Sequence, residues 1–195
     1  MMDESWVHHF DPETKEASKQ WKHTDSPPPK KFKVRPSAGK VMLSVFWDAK
    51  GILLIDFLEH GHTITGDYYA NLLTKLHDEI KAKRRGMLRR GVLLLHDNAP
   101  AHTSAVATKR AGALKYEILP HPPYSPDLAP SDFYLFGKLK DHLRGKHFPD
   151  DDTLKNAVTA WLQSQETVFY NEGIQKLKYR WEKCINLQGD YIEKR

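Results

Sequence analysis

Cysteine is almost absent from this chain of 195 residues, in which Cys184 stands alone. A single thiol excludes a disulfide within the chain and leaves no cysteine cluster that could bind zinc. No apolar run approaches the roughly 18 residues that a membrane span requires, and residues 1–4 do not have the pattern of a signal peptide. These absences predict a soluble, intracellular protein without a membrane partner.

Internal repeats are also absent, and the only low-complexity tract is a short proline cluster at residues 27–29. Hydrophobic residues make up 39% and charged residues 28% of the chain, which is ordinary for a globular domain. The formal net charge of +5 is compatible with a polyanionic partner but does not require one. Length and composition therefore predict a single domain that covers residues 1–195.

The pattern of apolar residues predicts the fold class. Strands are predicted at residues 6–10, 41–47, 52–58, 92–95 and 116–119, with a hairpin turn at 48–51. Helices are predicted at about residues 67–85, after a cap at Thr65, and at 101–113; from Ser131 onward the chain is mostly helical, with breaks near Phe148 and Gly173. Three strands, then strands alternating with helices, indicate an α/β protein with a mixed sheet flanked by helices. The polar segment 13–40 is predicted to be an extended loop inserted between the first two strands.

Two acidic motifs carry the chemistry. The motif His-Asp-Asn-Ala-Pro (residues 96–100) follows the apolar run at 92–95, and Ser-Pro-Asp-Leu-Ala-Pro-Ser-Asp (residues 125–132) leads from a proline-rich loop into a helix. Thirty-four residues lie between Asp97 and Asp132. A carboxylate at the end of a strand and another at the start of a helix can be brought together by the fold to bind a divalent metal ion. The pattern predicts phosphodiester chemistry on DNA.

Such chemistry calls for at least three carboxylates from distant parts of the chain. Two Mg²⁺ ions about 3.5–4 Å apart activate the attacking oxygen and neutralise the leaving one, and Mg²⁺ prefers carboxylate oxygens. The third carboxylate is expected on the first strand or the hairpin, where the candidates are Asp3 and Asp48. The spacing leaves both open, because a hairpin turn also favours aspartate.

Three segments resemble the catalytic domain of mariner-family transposases. They are Asp-Glu-Ser-Trp (residues 3–6), His-Asp-Asn-Ala-Pro-Ala-His (96–102) and Tyr-Ser-Pro-Asp-Leu-Ala-Pro-Ser-Asp (124–132), and Arg-Trp-Glu-Lys-Cys (180–184) is similar to the ending of the same family. The resemblance spans essentially the whole chain and implies an RNase H-like fold. It also implies that the family's DD34D triad corresponds to Asp3, Asp97 and Asp132, which would bind the metal, and that Asp48 is a turn residue.

The resemblance further implies a function. Such a transposase hydrolyses DNA strands at transposon ends and joins the freed 3′-hydroxyl to target DNA, with Mg²⁺ or Mn²⁺, two ions, as cofactor. The implied partners are DNA and a second copy of the chain in a paired-end complex, in the nucleus, with no small-molecule substrate.

One departure from the family leaves an alternative open. Family members carry helix-turn-helix units before this domain, whereas two residues precede Asp3 here. The alternative is a truncated or domesticated transposase-derived protein without transposition activity, which acts as a non-specific DNA-binding module or a weak nuclease; a gene fragment without a selected role is a third.

Basic residues at positions 30–35 are the first candidates for DNA contact. Lys30, Lys31, Lys33 and Arg35 have three interpretations: a solvated loop, a nuclear-import-like cluster, or an arm that contacts phosphates. In mariner transposases the corresponding region reaches toward the partner subunit, so the resemblance favours contact with DNA or with a dimer partner.

Three polar residues near the two acidic motifs have weaker assignments. Asn98 and His102, close to Asp97, are interpreted equally as packing residues or as side chains that orient the carboxylate or contact a DNA phosphate. Asp127 is interpreted as a hydrogen-bond acceptor that holds its own loop.

Overall fold

A computed structural model of the chain describes residues 1–14 and 35–192. Its strands are β1 (Met2–His8), β2 (Lys40–Asp48), β3 (Gly51–Phe57), β4 (Val92–Leu94) and β5 (Tyr116–Ile118). Its α-helices are α1 (Gly66–Lys83), α2 (Met87–Arg90), α3 (Pro100–Thr103), α4 (Ala105–Ala113), α5 (Gly137–Leu143), α6 (Asp151–Ser164) and α7 (Thr167–Asn186). A 3₁₀ turn (Pro126–Leu128) and a π-helix (Ser131–Phe136) lie between β5 and α5.

The strands form one antiparallel and one parallel set. β2 lies between β1 and β3 and is antiparallel to both, and β4 and β5 are parallel to each other. The amide of Met2 donates to the carbonyl of Leu95 (2.9 Å), which places the end of β4 beside the start of β1. Strand directions are therefore mixed, as the sequence predicts.

The buried core is divided between the two faces of β2. Leu43, Val45 and Trp47 point to one face and pack with the π-helix, α5 and α6, whereas Phe46 points to the other and packs with α1 and α4. Successive side chains of a strand point to opposite faces of the sheet, so the near-continuous apolar run of β2 supplies both halves of the core. Helices cover both faces, which is the layered arrangement of an α/β protein.

The start of α1 and its buried face are as predicted from the sequence. The Thr65 hydroxyl accepts a hydrogen bond from the Tyr68 amide (3.2 Å), which caps the first turn. The predicted apolar face of this helix is buried: Tyr69, Leu72, Leu73, Leu76 and Ile80. Among the described residues, no helix combines the length and apolar character needed to cross a bilayer.

Three predicted boundaries are wrong. β1 begins at Met2 rather than residue 6, because backbone pairing with β2 carries the polar residues 3–5 into the strand. The predicted helix at 101–113 is two helices, since the Ser104 hydroxyl accepts from the Ala107 amide and starts α4 anew. α7 continues through Gly173, where close packing rather than a break explains the glycine.

The hairpin turn and the long loop have different outcomes. Asp48 accepts a hydrogen bond from the Lys50 amide (2.8 Å) and pairs with Arg84 (2.8 Å), so it is a turn residue as the resemblance implies. Most of the loop predicted at residues 13–40, including Lys30, Lys31 and Lys33, lies outside the described residues and stays a prediction.

Candidate active site

Three segments of the fold bring Asp3, Asp97 and Asp132 into one region. Asp3 lies on β1 and is buried, with 8% of its surface exposed. Asp97 follows β4, whose end is beside the start of β1, and Asp132 lies in the first turn of the π-helix. Asp97 and Asp132 are exposed and line a groove of about 350 Å³. Two of the three carboxylates, Asp97 and Asp132, are therefore accessible to solvent, and the third, Asp3, is buried.

The charges of these carboxylates act on one another. Burial, followed by the charge of Asp132, raises the pKa of Asp3 well above its usual range. Desolvation also raises the pKa of Asp132, although Lys140 and a hydrogen bond from the Asp3 side chain act against it. Asp97 adds to the repulsion of both. The geometry thus concentrates negative charge that the surrounding side chains leave partly uncompensated.

A buried histidine contacts one carboxylate oxygen of Asp97. The ring of His102 has Nδ1 2.6 Å from Asp97 Oδ1 and Nε2 3.0 Å from Glu4 Oε1. The first contact is an ion pair whose direction departs from that of an ideal hydrogen bond. Burial lowers the pKa of His102, but the two carboxylates outweigh it and raise this pKa to about 9. An imidazolium therefore links β1 to the segment after β4.

One oxygen of Asp97 stays available to a ligand. Oδ1 receives both His102 and the Ala99 amide (3.0 Å), which lowers the pKa of Asp97, while Oδ2 has no partner among the described residues. Across residues 1–14 and 35–192, no three Asp, Glu, His or Cys side chains are arranged closely enough to hold a metal ion as they stand. Three carboxylates without cysteine are nevertheless the hard oxygen donors that suit Mg²⁺ or Mn²⁺, so the donor set fits such an ion.

The loop that carries Asp132 is held against the sheet. The indole Nε1 of Trp47 on β2 donates to the Ser131 hydroxyl (3.0 Å), and this contact is buried. Asp127 is buried and its Oδ2 accepts the amide of Ile192 (3.0 Å). Asp127 therefore holds its loop, as interpreted from the sequence.

The other residues predicted to contact DNA have different positions. Asn98 is exposed beside Asp97, but its amide donates to the His121 carbonyl (2.7 Å) and so ties the ends of two strands together. His102 is only 3% exposed and both ring nitrogens face carboxylates, which fits the interpretation that it orients Asp97; contact with a DNA phosphate stays a prediction. Arg35 is exposed and its role stays a prediction.

The role of Glu4 is not predicted from the sequence. Glu4 belongs to the motif at residues 3–6, and its carboxylate contacts His102, 98 positions away in the sequence. A buried ion pair between distant residues leaves no periodic signal, so only the fold reveals it. Adjacency to Asp3 was the one available sign.

Comparisons with known proteins agree with these observations. A family model described as "Transposase (partial DDE domain)" matches residues 11–90. The chain is 35% identical to the Mariner Mos1 transposase of Drosophila mauritiana, over 98% of this chain and 55% of that protein. It is also 35% identical to the histone-lysine N-methyltransferase SETMAR of Homo sapiens, over 98% of this chain and 28% of that protein. The chain thus spans about half, or less, of the curated relatives it matches.

Solved structures extend the similarity to the fold. The crystal structure of the catalytic domain of Mos1 mariner transposase aligns with a TM-score of 0.81 and 32% identity, over 98% of this chain and 82% of that one. Mos1 paired-end complexes with Mn and with Mg each align with a TM-score of 0.88. Both cover 98% of this chain and 56% of the other, at 34% and 35% identity respectively. The RNase H-like α/β fold predicted from the resemblance is confirmed, and the chain belongs to the mariner family of transposases, within the region of their catalytic domain.

Proposed function

We propose that this chain cleaves DNA strands at transposon ends and transfers them to target DNA with the help of Mg²⁺ or Mn²⁺, two ions in number. The observation that carries the proposal is the set Asp3, Asp97 and Asp132: Asp97 and Asp132 line one groove, and the buried Asp3 lies close enough to interact with both. The Mos1 complexes with Mn and Mg support divalent ions as the cofactor.

Each carboxylate has a distinct part in this proposal. Asp97 offers Oδ2 while His102 holds Oδ1, so one bound cation would not break the contact that orients the side chain. The protonated carboxyl group of Asp3 donates a hydrogen bond to Asp132. Both groups would have to give up this bond to bind a metal ion, and the positive charge of the ion would favour loss of the proton from Asp3. When bound, the divalent ions supply activation of the attacking oxygen and neutralisation of the leaving oxygen.

The partners and location are part of the same proposal. DNA is the substrate, and two copies of the protein act together on paired transposon ends, as the paired-end complexes of Mos1 transposase support. We propose the nucleus as its location, because DNA is the proposed substrate. The alternative, a DNA-binding module or weak nuclease that no longer transposes, predicts DNA binding with little or no metal-dependent strand cleavage.

Nicking of supercoiled plasmid in the presence of Mn²⁺ tests the proposal. The wild type should nick the plasmid, and Asp132→Asn should lower the rate by ~100-fold or more, because a lost electrostatic group at a reacting centre costs about that much. Asp152→Asn is the matched control, since its carboxylate is 92% exposed on α6 and belongs to no proposed site.

Each outcome has a defined meaning. Equal nicking by the wild type and Asp132→Asn would refute the assignment of the acidic site. A wild type that binds Mn²⁺ and DNA but does not nick would favour the alternative. A wild type that does not bind Mn²⁺ at all, measured by titration calorimetry, would rule out the proposed metal chemistry.

A further inference from the structure

We propose that Arg180 on α7 is a positioning residue that holds Asp132 in place for metal binding. The inference rests on the proposed function, because it assumes that Asp132 is a metal ligand. Arg180 acts through the residues on either side of the turn that presents this carboxylate.

Arg180 contacts the chain both before and after Asp132. Its Nη1 donates to the main-chain carbonyl of Asp127 (2.9 Å), and its guanidinium lies 4.1 Å from the centroid of the Phe133 ring. A guanidinium over an aromatic face is attracted to it, and its planar group of donors can hydrogen-bond at the same time. One side chain thus connects the 3₁₀ turn to the residue that follows Asp132.

The segment after α7 strengthens the same connection. The amide of Ile192 donates to Asp127 Oδ2 (3.0 Å), and the hydroxyl of Tyr191 donates to the main-chain carbonyl of Tyr124 (2.8 Å). The side chain of Asp127 is buried and accepts the first of these bonds, while its own carbonyl accepts Arg180. Two points of the proline-rich loop, Tyr124 and Asp127, are therefore attached to α7 and the segment after it.

Asp132 lies between two anchored neighbours. Ser131 receives the buried hydrogen bond from Trp47 of β2, and Phe133 is covered by Arg180 of α7. The amides of Asp132 and Phe133 both donate to the Ala129 carbonyl (2.9 and 3.0 Å), so the turn is closed locally as well. Metal ligands must be held within a fraction of an ångström, and the sheet alone holds only one of these two neighbours.

Two measurements on Arg180→Met test the proposal. Methionine keeps an unbranched apolar stem against Phe133 but removes the guanidinium. We expect Mn²⁺ affinity, measured by titration calorimetry, to fall about tenfold or more, as for other residues that orient metal ligands. We also expect faster hydrogen–deuterium exchange in residues 126–136 with no change in β1 and β2.

Control and conservative variants distinguish positioning from general destabilisation. Lys178→Met changes an 80% exposed charge on the same helix and should leave both measurements at wild-type values. Arg180→Lys keeps the charge but not the planar group, and should give an intermediate Mn²⁺ affinity. If Arg180→Met does not fold, Arg180→Lys decides the question with the same two measurements.

The results separate this inference from the proposed function. Wild-type Mn²⁺ affinity and exchange in a folded Arg180 variant would overturn the positioning role while leaving the metal site intact. Absence of Mn²⁺ binding by the wild type, together with faster exchange in Arg180→Met, would overturn the metal site and support the anchoring of the loop. If the wild type does not bind Mn²⁺ and Arg180→Met shows no faster exchange, both the metal site and the positioning role are overturned.

Discussion

Gly173 of α7 offers a sharp test of how this helix packs against the π-helix. A Cβ atom at Gly173 would lie 2.6 Å from Cδ1 of Tyr134 and 3.0 Å from Cη2 of Trp47. Both rings are buried, at 4% and 0% exposure, so neither has room to move aside. Gly173→Ala therefore forces α7 away from the segment that presents Asp132.

The expected magnitude comes from two opposing effects. Alanine in a helix interior is favoured over glycine by about 1 kcal/mol, whereas an extra methyl group in a filled core costs about 1–3 kcal/mol. The close approach to Tyr134 favours the upper part of that cost, so Gly173→Ala should lower the free energy of unfolding by about 1–2 kcal/mol. For a domain of this size the melting temperature should fall by about 2–8 °C.

Gly112 of α4 is the matched control. It is exposed, and a Cβ at this position would meet no atom within 4 Å. Gly112→Ala should therefore raise the melting temperature, because only the helix-propensity gain of about 0.5–1 kcal/mol applies. Calorimetric melts of both variants beside the wild type measure the contrast. If Gly173→Ala stabilises the protein as much as Gly112→Ala does, the inferred packing of α7 on the π-helix is wrong.

Two further predictions concern titration in the metal-free protein. Because the folded pKa of Asp3 lies above its unfolded value of 3.8, the free energy of unfolding should fall as the pH rises from 4 towards 8, by at most about 1.4 kcal/mol per pH unit. Asp3→Asn should make this fall less steep when it is measured by urea unfolding. A pH profile equal to that of the wild type would contradict the raised pKa of Asp3. The pKa of His102 rises from 6.5 to about 9, so its ion pairs stabilise the fold fully below pH 6.5 and are lost as the pH rises through 9. His102→Gln should therefore be less stable than the wild type by about 3 kcal/mol at pH 6 and by much less at pH 9.5. An equal difference at both pH values would show that the charge of His102 is unimportant.

The sequence could predict the acidic site because its members follow strong local signals. Asp97 comes after a buried strand, and Asp132 opens a helical segment after a proline-rich loop. Asp3 could be chosen over Asp48 only through the family resemblance. Each is an aspartate near the end of a predicted strand, and the spacing does not distinguish a metal ligand from a turn residue. The structure places Asp48 in the turn, with Arg84 as its partner.

Contacts between distant residues could not be predicted in the same way. The bridge from Glu4 through His102 to Asp97 depends on which strands become neighbours. Glycine usually marks a helix end, yet Gly173 is required by two rings that approach the helix from elsewhere in the chain. Packing of this kind overrides local propensity and is decided only when the whole chain has folded.

The distribution of the acidic residues along the chain also bears on its synthesis. Asp132 is made 129 positions after Asp3, and α7, the helix that packs on the π-helix, is made later still. Domains generally become stable only when their distant segments have been made and have met. A nascent chain that lacks α7 therefore lacks part of the packing around Asp132, and under the proposed function it gains the capacity to cut DNA only after α7 has been made.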